Sequence, residues 1–316
     1  MTARQPIPTL QNIFDTYISE CIHTKKLRAA TIKSYQEVFA TLQKIVPELR
    51  FPRDIQLHSL PLFFKRLQTR ERLVGKTMVR GGIKPSTIKT YYSKLIAFFR
   101  WLEKYNYLEE GLSCKMIKPP NPVYDDEKAL SDQDVSKLLG AISLYNTDNL
   151  LGYQRDLLIF SLGIYSGLRR QEILSLKIQD VNFEKRTLFI AKETSKSKKN
   201  RYVPLHPILS HQIKEHFKER KFKKRTCEYL ITSIKKDAPL TIYGLKHWVA
   251  RYSKLSGVSF HIHQTRHTFA CSLAKVNADV TTIMKALGHS SLQMTQRYLR
   301  SISSEHSRSY IEKLSY

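Results

Sequence analysis

Three prolines within four residues, in Lys118-Pro119-Pro120-Asn121-Pro122, set the strongest limit on how this chain folds. Proline fixes φ and has no amide donor, so neither a helix nor a sheet ladder runs through such a stretch, and an extended linker is favoured. The run divides 316 residues into two segments, each long enough for a core of its own. We therefore expect domains over 1–117 and 128–316, joined by a linker over 118–127. With 41% hydrophobic residues, both segments can bury an ordinary core.

Apolar spacing gives each segment its class. Ile32, Tyr35, Phe39, Leu42 and Ile45 keep one face of a 3.6-residue period, as do Ile88, Tyr91, Leu95, Phe98, Phe99 and Leu102 after Pro85-Ser86. Shorter helical patterns lie near 9–22 and 57–69, so the first third reads as helices. Beyond the linker, Ser131-Asp132-Gln133-Asp134 resembles a capping box. An apolar helix over 150–165 is broken by Ser166-Gly167, and another begins at Arg169. Thr187–Ile190 and Arg201–Val203 read as strands flanking a basic turn, Lys192 to Lys199, which predicts a hairpin with an exposed tip. Gly257, Gly288 and Ser290-x-x-Gln293 mark helix ends. The expected class is mainly α: a helical first domain and an α+β second domain with a small hairpin.

Charge narrows the partner. The chain carries 53 Lys and Arg against 27 Asp and Glu, a net +26. Such an excess seeks a polyanion, because neutralising phosphates releases condensed counterions. The basic residues run along the whole chain, so no single basic tail explains the excess. The first ten residues lack the apolar core of a secretory signal, and no stretch approaches 18 apolar residues, so no membrane partner is expected. Cys21, Cys114, Cys227 and Cys271 form no CxxC pair and read as reduced core thiols of a cytoplasmic protein.

Several chemistries fall away. No GxxxxGK[ST] is present for a P-loop. Two-metal nucleases need clustered carboxylates, and the only acidic cluster, Asp125-Asp126-Glu127, sits in the linker with no partner cluster. His263, His267 and Cys271 fall at i, i+4 and i+8, but a fourth zinc ligand is missing, so packing is their expected use and no metal is expected. What remains is phosphoryl transfer without metal. That reaction needs a hydroxyl nucleophile, fixed cationic donors for the pentacovalent transition state, and a general acid for the departing oxygen. Arginine's planar fork suits phosphate oxygens best. The chain carries, in order, Arg169, Lys196, His263, Arg266, His289 and Tyr298.

Here the sequence resembles the tyrosine recombinase, or phage-integrase, family. The resemblance rests on Ser166-Gly167-Leu168-Arg169-Arg170-Gln171-Glu172-Ile173-Leu174, and on Lys196-Ser197-Lys198-Lys199-Asn200-Arg201-Tyr202-Val203-Pro204-Leu205. It continues in His263-Gln264-Thr265-Arg266-His267 and Leu287-Gly288-His289-Ser290-Ser291, with Tyr298 nine residues after His289. Each box alone is weak; four in order are a strong signal. The resemblance implies a helical, SAM-like core-binding domain followed by a tyrosine-recombinase catalytic domain. It implies that Tyr298 attacks the scissile phosphate to give a 3′-phosphotyrosyl bond. Arg169 and Arg266 would grip its non-bridging oxygens, Lys196 would protonate the 5′-hydroxyl leaving group, His263 would act as base or hydrogen-bond partner, and His289 would bond a phosphate oxygen. Glu172 would orient Arg169 or its helix. The covalent link conserves the phosphodiester energy, so no cofactor is expected.

None of these residues stands out alone. Tyr298 is one of 17 tyrosines, and Lys192, Lys198 and Lys199 crowd the turn that holds Lys196. Arg170 stands where the family usually has an apolar residue, which suggests an exposed helix face or an extra phosphate contact. Thr265 replaces a usual leucine, which puts the packing behind Arg266 in question. Further implications concern DNA. Helices starting near Thr31 and Ser86 would face the major groove, with Lys33, Thr87 and Thr90 as candidate contacts. The apolar stripe Tyr310, Ile311, Leu314 would dock on a neighbouring protomer and build a homotetramer on double-stranded DNA with inverted-repeat sites, or pack on its own domain. The activity expected is site-specific recombination through a Holliday junction by a cytoplasmic, nucleoid-associated enzyme. The alternatives are a type IB topoisomerase and a non-catalytic DNA-binding relative.

Overall fold

The structure is a computed structural model and describes residues 7–74, 77–80, 83–118, 120, 129–145, 148–192 and 199–289. The chain divides into two compact units, Met1–Asp125 and Asp126–Tyr316.

In the first unit, α1 (Leu10–His23), α2 (Ala29–Ile45), α3 (Ser59–Thr69), α4 (Pro85–Lys104) and the short α5 (Leu112–Met116) surround one apolar core. The predicted periods place it: Phe39 and Leu42 of α2 and Leu95, Phe98, Phe99 and Leu102 of α4 are all buried. Rings interlock at its centre. Phe14 stacks on Phe39 at 3.8 Å and meets Phe98 edge-on at 5.1 Å, the second being the T-shaped geometry that ring quadrupoles favour. Local chemistry fixes the helix ends: the Thr9 hydroxyl accepts from the Asn12 amide at 3.2 Å, and Pro85 opens α4, where a missing N–H costs nothing.

One expectation fails here. The first third is not all helix, because β1 (Glu71–Val74) and β2 (Thr77–Arg80) pair antiparallel, with Leu73 opposite Met78. Strands of four residues whose apolar residues sit side by side, Leu73-Val74 and Met78-Val79, leave no alternating signal, and Met78 is 61% exposed. Gly75-Lys76 between the strands was the available cue.

The second unit is built around α7 (Leu150–Ser166), which packs against α9 (Pro207–Phe222) on one side and α11 (Ile262–Lys275) on another. Its sequence is apolar nearly all round, as a central buried helix requires. Asn149 caps it by accepting from the Gly152 amide at 2.9 Å. The helix α6 (Asp132–Tyr145) opens on the predicted Ser131–Asp134 exchange and packs on α7 and α10 (Ile242–Ser256). After α7 come the short α8 (Arg170–Ser175) and an antiparallel sheet of β3 (Val181–Asn182), β4 (Thr187–Ile190) and β5 (Arg201–Pro204). The predicted hairpin is the β4–β5 pair, with Ile190 opposite Arg201; of its tip, residues 193–198 lie outside the described residues. The last described helix, α12 (Val280–Leu287), packs on α11. Gly257 and Gly288 end α10 and α12 with φ of +70° and +63°, the left-handed cap predicted for each; Ser290 and Gln293 lie outside the described residues.

Buried ions organise this unit. Asp156 accepts from Arg155 Nε at 2.6 Å and from the Tyr252 hydroxyl at 2.6 Å, tying α7 to α10. Arg220 donates to the carbonyls of Cys227, Tyr229 and Leu230, which pins the chain after α9. Cys21 and Cys271 are buried as expected, whereas Cys227 is half-buried and is not a core thiol. Among the described residues, no helix is long and apolar enough to cross a membrane.

Candidate active site

The site starts where α7 stops. Gly167 takes φ +58°, and a Cβ there would run into the Phe269 ring, so only glycine allows the turn and the close approach together. The turn reverses the chain and makes Arg169 the first residue of α8's cap, with extended φ −73° and ψ 155°. Three residues on, Glu172 Oε2 reaches back to accept the Arg169 amide at 2.8 Å, while Oε1 accepts from Arg169 Nη1 at 3.0 Å. One carboxylate therefore caps the helix and aims the arginine.

Glu172 also holds a second arginine that sequence reasoning missed. Arg201 donates bidentately to it, Nη1 to Oε1 at 2.9 Å and Nη2 to Oε2 at 2.8 Å. The Glu172 side chain is fully enclosed, and those of Arg169 and Arg201 are 15% and 10% exposed. Burial alone would raise the Glu172 pKa; the hydrogen bonds and charge of Arg201, then those of Arg169, overcome this and hold it at about 2. The signal for Arg201 was strand parity. It shares the face of Val203, which is buried, while Tyr202 between them points to solvent.

Arg266 forms the floor. It lies on α11 with no solvent exposure, donating from Nη1 to the Gly167 carbonyl at 2.6 Å and from Nη2 to the Leu287 carbonyl at 2.7 Å. Both acceptors are helix C-terminal carbonyls, the negative ends of α7 and α12. Nη2 also lies 3.0 Å from His289 Nε2. Arginine only donates, so His289 Nε2 accepts and the ring carries its proton on Nδ1. Burial lowers the His289 pKa to about 3, reinforced by the charges of Arg266, Arg169, His263 and Arg201. The imidazole is thus neutral at physiological pH.

The structure brings together Arg169, Glu172, Arg266 and His289 from three segments of the chain. Arg169 Nη2 reaches the Gly288 carbonyl at 3.4 Å, closing the set. His263 is exposed in the first turn of α11, three residues ahead of Arg266 and on the same helix face. Lys196 and Tyr298 lie outside the described residues, as do Tyr310, Ile311 and Leu314. His267 is buried, its Nε2 3.8 Å from Cys271 Sγ, and His263 is exposed. Among the described residues no group of three His, Cys, Asp or Glu is gathered as a metal would need. Thr265, whose packing was in question, is fully buried against Gly163 of α7 and donates to the Ile262 carbonyl at 2.8 Å. Arg170 is exposed. In the first unit, Lys33, Thr87 and Thr90 are all exposed in the opening turns of α2 and α4; Lys33 Nζ is 4.0 Å from Glu37, and Thr90 donates to the Ser86 carbonyl at 3.0 Å.

The chain and its fold are similar to those of known proteins. Residues 128–305 match the phage integrase family. The chain is 33% identical over 211 residues to tyrosine recombinase XerA of Pyrococcus horikoshii, covering 65% of this chain and 68% of that one. It is 27% identical over 298 residues to a tyrosine recombinase of Agathobacter rectalis, covering 92% of each. Among solved structures, the fold is similar to a lambda integrase (75–356) dimer bound to a COC′ core site, at TM-score 0.71 and 18% identity over 93% of this chain and 96% of that one. It is also similar to XerH site-specific recombinase in a post-cleavage complex, at TM-score 0.69 and 21% identity over 94% and 82%. The chain belongs to the phage integrase family and is a tyrosine-type site-specific recombinase.

Proposed function

We propose that this recombinase cleaves and rejoins double-stranded DNA through a 3′-phosphotyrosyl bond made by Tyr298, without metal or nucleotide cofactor. The observation that carries the reading is the convergence of Arg169, Arg266 and neutral His289 in one cluster of surplus positive charge. A phosphodiester gains negative charge in its pentacovalent transition state, and fixed guanidinium donors in a dry site stabilise that charge without reorganising. Arg169 grips one non-bridging oxygen. Arg266 is sealed from solvent, so it meets the other only after a local opening; until then its charge acts through the floor of the site. His289, held with its proton on Nδ1, is set to donate to phosphate. Tyr298, with an unperturbed phenol pKa near ~10, needs this cationic field to react as phenolate. His263 assists its deprotonation, and Lys196 on the hairpin tip protonates the leaving 5′-oxygen.

The first unit, with Lys33, Thr87 and Thr90 exposed on α2 and α4, fits a core-binding domain that lies against the major groove. The relatives solved on DNA support DNA as the partner. A homotetramer on paired inverted-repeat sites, joined through the tail and passing through a Holliday junction, completes the reading, with accessory proteins left to be identified. A type IB topoisomerase shares the tyrosine chemistry but works as a monomer without a recognition site. Strand exchange between two duplexes that carry a selected site separates the two: recombinant product is expected, and relaxation of any supercoiled plasmid by dilute monomer would contradict it.

A further inference from the structure

We infer that Arg201 is a positioning residue for strand cleavage: by taking up the charge of Glu172, it leaves the charge of Arg169 available to the scissile phosphate. The inference rests on the tyrosine-recombinase reading of the site and deepens it.

Geometry carries the argument. Among the described residues Glu172 is the one carboxylate bonded to Arg169, and left alone with it the two would form a closed neutral pair. A phosphate approaching Arg169 would then meet a guanidinium whose charge is already spent. Arg201 changes that balance, because its two nitrogens take one carboxylate oxygen each, the strong fork-on-fork geometry. Oε1 is shared between Arg169 and Arg201, so two cations face one anion and a positive charge remains. Arg201 makes both carboxylate bonds end-on, whereas Arg169 gives Glu172 one side-chain bond and keeps Nη2 directed at the Gly288 carbonyl, beside His289. The aliphatic stem of Arg201 also runs close against Gly288: a Cβ there would fall 2.8 Å from its Cδ. Arg201 also opens β5, at the base of the hairpin whose tip bears Lys196. One side chain thus braces the hairpin base, the start of α8 and the corner before His289.

The test uses the full chain and a nicked duplex bearing a site that the unsubstituted protein selects from a randomised pool. Adduct formation by that protein is the control: its absence would overturn the tyrosine reading itself, independently of Arg201. With the control in hand, Arg201→Met is expected to bind the duplex within about threefold of normal but to form the adduct about 100-fold more slowly at saturating DNA, the usual scale for losing one preorganised donor. Adding Glu172→Gln removes the anion that Arg201 offsets, and should restore the rate at least tenfold. Arg201→Lys keeps the charge without the fork and is expected to lose no more than tenfold; it also serves if Arg201→Met does not fold. The inference is overturned if Arg201→Met slows only binding, if the double variant is no faster than Arg201→Met, or if Arg201→Lys falls as far as Arg201→Met.

Discussion

Two arginines and a histidine in this site do different work because their surroundings differ. Arg169 remains partly open to solvent, while Arg266 is enclosed and spends its bonds on Gly167, Leu287 and His289. Replacing Arg266 therefore costs stability as well as chemistry. Arg266→Gln should leave two helix-end carbonyls poorly satisfied and lower unfolding free energy by roughly 3 kcal/mol, the scale of breaking a buried charged network. Urea denaturation measures it, and a loss below about 0.5 kcal/mol would mean the clamp is unimportant. Protonation gives a second expectation at this scale. His289 and His216 have pKa values lowered to about 3 and about 4, in both cases first by burial. Each stays neutral in the folded protein and takes a proton on unfolding below its ordinary value near ~6.5. Their stabilisation is complete above that value and is lost as pH falls toward 4 and 3. Glu172, held at about 2, adds a further loss below its usual carboxylate range. Thermal melts should be flat from pH 8 to 7 and drop steadily between 6.5 and 4.5; a melting temperature unchanged across that range would refute the neutral, buried state of both rings.

At the scale of elements, the site depends on how closely α11 approaches α7. Gly163 has no side chain, and a Cβ there would overlap Thr265 Oγ1 and lie 2.7 Å from Thr265 Cβ. Gly163→Ala should push α11 outward, cost about 1–3 kcal/mol as overpacking does, and misplace Arg266. Adding Thr265→Ala removes the nearest atom, Oγ1, while Cβ stays at 2.7 Å, and should recover part of both losses; full activity in Gly163→Ala alone would show that the helices have slack. This contact explains what could and could not be seen in the chain. The amphipathic periods of α2 and α4, the cap at Ser131 and the β4–β5 strands were legible, because burial and capping leave local patterns. Thr265 could only be noticed as a departure from leucine, since its fitness lies in the glycine it meets 102 positions away. The β1–β2 hairpin was silent because its four-residue strands carry their apolar residues side by side rather than in alternation. Arg201 was quoted within its box yet unassigned: its meaning comes from Glu172, 29 residues earlier, and only folding joins them.

For the molecule as a whole, the net charge of +26 dominates how it meets a partner. If exposed lysines such as Lys33 contact phosphates, affinity for duplex should fall linearly with log salt, at a slope near −0.9 per phosphate neutralised. Lys33→Ala should flatten that slope by about one and weaken binding to all sequences alike, whereas a base-reading role would instead relax specificity. Binding that is indifferent to salt would remove phosphate contact from the account. The candidate catalytic set was proposed at this scale too, from order and spacing rather than from any single residue. Folding then gathered Arg169, Glu172, Arg266 and His289, and Tyr298 owes its place in the account to its spacing from His289. The central claim is best tested on that tyrosine. The full chain, mixed with a nicked duplex carrying a selected site and resolved on a denaturing gel, should form a covalent protein–DNA adduct, and Tyr298→Phe should form none while still binding the duplex. An adduct that persists in Tyr298→Phe would contradict the account.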